Sequence, residues 1–225
     1  MQNSDFADEH PESEVIGTDV SPTQSTWVPP NLRFEIEDCT EAWTFEPASF
    51  DYIHIRFLIG SIDDWEALMR QCFEACKPGG YVESMEPSAY LESDDGTVTD
   101  QMAIGQWGKL FVEASRRFGR SFELYQQGTV RKALEAAGFV DIHETELKTP
   151  LGGWAKDPQL KELGQFTQLS LMRDPEGYIL FLANALGWER EEITLYLAHL
   201  RRELKNPRVH PYYRQKVVWA RKPEA

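Results

Sequence analysis

The chain has 225 residues, 41% of them hydrophobic and 27% charged, with three cysteines and a formal net charge of -14. Those proportions fit one globular domain, or a domain with a sizeable insertion, that buries a core. The acidity argues against sequence-independent nucleic-acid binding, because phosphates would be repelled. No apolar run reaches membrane-span length and no basic-then-apolar leader opens the chain. The expectation is a cytoplasmic protein with no nucleic-acid or membrane partner, whose unpaired cysteines are reduced.

Residues 5–11 read as a helix tail that ends before Pro11. Residues 14–19 form a short strand closed by Asp19. In open parallel sheets ligands sit beyond the carboxyl ends of strands, so an acid there can receive ribose hydroxyls or simply make a turn. Prolines hold 21–31 extended, and Trp27 within it is either a packing residue or an aromatic cover. Residues 32–38 alternate apolar and polar as a half-buried edge strand ending at Asp38 and Cys39.

Residues 50–59 form an apolar run rich in isoleucine and aromatics, a buried strand. Leu68, Cys72, Phe73 and Cys76 then recur at helical spacing over 63–76. Cys72 and Cys76 are expected to share that helix face as packing residues. Pro78, Gly79 and Gly80 are expected to stop the helix before a strand at 81–85. Strand, helix and strand in succession predict a right-handed crossover and a parallel sheet. His54 and Arg56, near the end of the first of these strands, are the candidate reactive residues. A histidine there serves as a general base or as a satisfied polar residue. Glu83 and Glu86 orient a substrate or sit at a solvent edge.

Asp94, Asp95 and Gly96 mark a turn. An amphipathic helix is expected over 101–118, as a lid or as packing, and another over 128–137 that Gly138 ends. Residues 139–147 alternate as a strand. Between 150 and 207 three helices are expected, at 160–172, 175–186 and 190–204, with Trp154, Tyr178, Trp188 and Tyr196 available to line an apolar pocket. Residues 212–221 form a last strand, antiparallel to 139–147. The arginines at 116, 117 and 120, and the basic cluster at Arg201, Arg202 and Lys205, read as solvated helix faces.

The phrases VIGTDVSP, WVPPNLRFEIED and KPGGYVE, and the strand–helix–strand at 50–85, resemble the class I S-adenosylmethionine-dependent methyltransferases, nearest to the fungal LaeA-type group of secondary metabolism. The resemblance runs from about Asp5 to about Lys222. It implies a Rossmann-like α/β sheet with a C-terminal antiparallel hairpin and a helical cap insertion. It divides the chain into a core at 1–149, a cap at 150–207 and a final core strand at 208–225. The cofactor it implies is S-adenosylmethionine, held by Asp19 at the ribose and by Asp38, with Cys39, at the adenine; His54 and Arg56 would stand near the reacting centre.

The family's first strand ends in a glycine-rich turn, where a chain without side chains approaches the cofactor. No glycine precedes Gly17 here. By analogy that central strand would lie between 14–19 and 50–59, and its loss would expose two strand edges. Three explanations are open: a truncated sequence, a sheet that closes over the gap, or a protein partner that supplies or covers the missing strand. The leading expectation is a methyltransferase acting on a small molecule. Its alternatives are a non-methylating relative that guides cyclisation or isomerisation of a pathway intermediate, and a LaeA-type regulatory partner, for which a nuclear place would follow.

Overall fold

The computed structural model describes residues 2–22, 24 and 27–224; the loop expected over 21–31 therefore lies outside the described residues at 23, 25 and 26. The chain falls into two compact units, residues 1–46 and 47–225. In the first, helix α1 (Gln2–Glu9) precedes strands β1 (Val15–Asp19) and β2 (Leu32–Ile36). The strands pair in parallel from Val15 opposite Leu32 to Asp19 opposite Ile36. One side chain ties this unit together. The Asn31 amide donates to the carbonyls of Ala7, His10 and Ser13 at 3.0, 3.1 and 2.9 Å, so the end of α1, the turn after it and the start of β2 share one donor group. Gly17 is buried, and a β-carbon there would stand 2.5 Å from the Phe34 ring, which only glycine avoids. Trp27 is 89% exposed and so packs into no core.

In the second unit, β3 (Phe50–Arg56) pairs in parallel with β4 (Cys76–Glu92) across helix α2 (Trp65–Ala75), the expected crossover. Asp64 caps α2 by accepting the Ala67 amide at 2.8 Å, supplying a partner to one of the first-turn donors that a helix leaves unsatisfied. Two expectations at this unit need correction. β3 ends at Arg56, not 59, because Phe57 takes the left-handed backbone region at φ 57°. β4 begins at Cys76 and runs through Pro78, Gly79 and Gly80, and Cys76 is therefore not on the helix. The ladder absorbs this with a register shift between Phe50 and Tyr52 and a positive φ at Gly79. The end of α2 is closed by Lys222, whose ammonium donates to the carbonyls of Phe73 and Cys76 at 2.6 and 2.8 Å, a cation where the helix dipole favours one.

Helices α3 (Ala103–Ser115), α4 (Leu124–Gln127) and α5 (Thr129–Ala137) lead to β5 (Val140–Pro150); α6 (Pro158–Arg173), α7 (Pro175–Leu186) and α8 (Arg190–Leu204) lead to β6 (Tyr212–Arg221). β6 slots antiparallel between β4 and β5, giving the order β3-β4-β6-β5; β1 and β2 form a separate sheet. The fold is thus mixed α/β with a mixed sheet. Its main core joins α3, α7 and α8 through Ile104, Ile179, Ile193 and Leu200, all essentially inaccessible. Glu203 near the end of α8 accepts the Ala103 and Ile104 amides at 3.2 and 3.0 Å, placing a carboxylate on the positive end of α3. Among the described residues no helix is long and apolar enough to cross a membrane.

Candidate functional site

The first unit presents two acids on one edge. Asp19 is the last residue of β1, and its carbonyl accepts the Glu37 amide at 3.1 Å, so the chain leaving β2 runs past it to Asp38. Parallel pairing puts both carboxyl ends on the same side, and Asp19 and Asp38 are both there. Asp19 Oδ1 accepts the Ser21 amide at 2.9 Å. A carboxylate offers about four lone-pair positions, so one amide leaves acceptor capacity in hand. Asp38 Oδ1 accepts both the amide and the hydroxyl of Thr40, at 2.9 and 2.7 Å, in an aspartate turn. Cys39 is half-buried; burial first, then the charge of Asp38, push its thiol above the usual range and keep it protonated.

The second unit gathers a different set. Tyr52, His54 and Arg56 lie two apart on β3 and therefore on one face. Across the ladder His54 is opposite Glu83, which is opposite Trp219, which is opposite His143. His54 Nδ1 stands 3.1 Å from Glu83 Oε1 and 3.3 Å from the Tyr52 hydroxyl. Burial lowers the His54 pKa, and Glu83 opposes that shift without reversing it, so the imidazole is neutral near pH 7. Bonding Nδ1–H to the carboxylate leaves the Nε2 lone pair as the basic site. Burial, reinforced by Glu83, drives the Tyr52 phenol well above its ordinary value, so it serves as a neutral hydrogen-bonding group. Arg56 is exposed, with its guanidinium 5.0 Å from the Phe57 ring centre.

Glu86 carries a role that the sequence showed only as a choice between substrate and solvent. It is 3% exposed and accepts the Leu58 and Ile59 amides at 3.0 and 2.8 Å, pinning the turn after β3 to β4. Burial raises its pKa to about 7 against the lowering effect of those two amides. The four cap aromatics engage different partners. Tyr196 is buried and donates to the Ala103 carbonyl at 2.8 Å, with Trp188 edge-on at 5.4 Å. Trp154 donates to the Pro211 carbonyl at 3.0 Å, and Tyr178 sits 6.2 Å from Trp107. α3 joins the core through Ile104, Trp107 and Leu110.

Comparisons with known proteins agree on one kinship. The sequence model of the methyltransferase domain matches residues 4–144. The chain is 32% identical over 220 residues to methyltransferase pytC of Aspergillus terreus, covering 97% of this chain and 67% of that one. It is 32% identical over 224 residues to the secondary metabolism regulator LAE1 of Cochliobolus heterostrophus, covering 98% and 72%. Among solved structures, phosphoethanolamine N-methyltransferase 2 of Haemonchus contortus, in complex with phosphomonomethylethanolamine and S-adenosylhomocysteine, superposes with a TM-score of 0.52 at 21% identity, over 98% of this chain and 46% of that one. The YcgJ protein of Bacillus subtilis superposes at 0.51 and 13% identity, over 95% and 84%. The structural likenesses speak for the fold.

Proposed function

The chain belongs to the methyltransferase-domain family, and on that premise we propose that it binds S-adenosylmethionine and methylates a small molecule of fungal secondary metabolism. The observation that carries the proposal is the placement of Asp19 and Asp38 on the shared carboxyl edge of β1 and β2, the edge where nucleoside ligands settle in open parallel sheets. Asp19 and Asp38 fit the ribose and adenine ends of the group. Asp19, with acceptor positions beyond the one given to Ser21, would take the ribose hydroxyls. Asp38 would face the adenine amino group, and the protonated, half-buried Cys39 would border the ring without adding charge.

When bound, the cofactor supplies an electrophilic methyl group. The second unit carries the candidate reactive residues. The neutral His54, oriented by Glu83, would take the acceptor's proton at Nε2, a general-base contribution of roughly 100-fold to 10,000-fold. Arg56 would hold a carbonyl or anionic group of the substrate by its fork of N–H donors. The test is incubation with methyl-labelled S-adenosylmethionine and a small-molecule extract. Label should enter an extractable product, and His54→Gln should reduce its rate at least tenfold while cofactor binding persists. Cofactor binding with no labelled product from any extract would instead favour a non-methylating role.

A further inference from the structure

Three strands bring Asp51, Tyr52, Tyr81, Glu83 and Trp219 around a depression of about 320 Å³. The register explains the grouping: Tyr52 is opposite Tyr81, and Glu83 is opposite Trp219. Its volume lies at the low end of the ~300–1,000 Å³ of ligand sites. Tyr52 and Tyr81 are 43% and 44% exposed, so much of the accessible lining is aromatic. Trp219 is held in place by His143, which stacks on it at 5.5 Å and 23°.

The charges are unequal. Lys77 lies 2.8 Å from Asp51 and offsets it. Arg221, paired with Tyr81 in the ladder, is committed to Asp141 at 2.7 Å. Glu83 touches His54, which burial keeps neutral near pH 7, and the Tyr52 phenol, which is also neutral. Glu83 thus lies beside the rings of Tyr52, Tyr81 and Trp219. Rings attract a cation through their quadrupoles, and do so best when the cation is weakly hydrated. Among the described residues no group of three or more His, Cys, Asp or Glu gathers that could hold a metal ion instead.

We infer that this depression binds a methylated organic ammonium group, with Tyr52, Tyr81 and Trp219 contacting its methyl groups and Glu83 balancing its charge. The site uses residues of the second unit alone and does not depend on methyl transfer. The test is saturation-transfer NMR on the full chain with tetramethylammonium at constant ionic strength, alongside its neutral isostere 2,2-dimethylpropane's water-soluble analogue tert-butanol. Tetramethylammonium should saturate at millimolar concentration and tert-butanol should bind at least roughly fivefold more weakly. Trp219→Leu and Glu83→Gln should each weaken tetramethylammonium by roughly fivefold or more; Tyr81→Leu replaces Trp219→Leu should that variant not fold. Equal binding of the two probes, no saturation with the folded protein, or unchanged affinity in folded variants would overturn the assignment.

Discussion

In residues 2–46 the buried positions among those described are Ala7, Gly17 and Leu32, whereas the second unit packs whole helix faces around Ile104, Ile179, Ile193 and Leu200. The first unit is held largely by directional bonds, above all the three carbonyls gathered on Asn31. The second is held by apolar burial, with polar groups such as Glu203 and Lys222 closing helix ends. Acids proposed for the cofactor thus sit on the lightly packed unit, and residues proposed for the acceptor sit on the heavily packed one. Local stability follows buried apolar contact, so the proposed cofactor edge should open more readily than the reactive face.

The strongest way to break that contrast is a cavity in the second core. Ile193→Ala should destabilise the second unit by about 2–5 kcal/mol, read as a lower urea midpoint, because a fully buried side chain leaves both lost burial and a void. Glu86 gives the next effect through pH. Its folded pKa, about 7, lies above the ordinary carboxylate value, so the stabilisation is complete below about pH 4.5 and is lost as pH rises through 7. Denaturant melts from pH 5 to 8 should lose up to roughly 3 kcal/mol in the parent protein, and Glu86→Gln should flatten that dependence.

Asn31→Asp tests the first unit. A carboxylate facing three carbonyls should cost about 1–3 kcal/mol and raise hydrogen exchange across β1 and β2 while leaving α8 protected. The smallest effect is expected at the exposed Lys77–Asp51 pair, where Lys77→Ala should change stability by less than about 1 kcal/mol. A loss as large as that of Ile193→Ala would mean that surface pairing, not burial, holds the second unit.

Much of this layout was legible as periodicity. Residues 139–147 and 212–221 alternate and do pair antiparallel, and the three helices of 158–204 stand where their apolar spacing puts them. Pro78, Gly79 and Gly80 misled because turn-forming residues also serve in an irregular strand, where a shift of register absorbs them. Asp19 and Asp38 were legible as strand ends. The contact of His54 with Glu83 depends on which residues face each other across β3 and β4, and the depression at Trp219 depends on a third strand inserted from the far end of the chain. Burial of Glu86 has no local signal, since its partners are two backbone amides about 28 residues away.

The most direct test of the central claim is calorimetric titration of the 225-residue chain with S-adenosylmethionine and S-adenosylhomocysteine. Saturable micromolar binding is predicted, weakened at least tenfold by Asp19→Ala with the second unit still folded. A folded chain that releases no heat with either ligand would contradict the account.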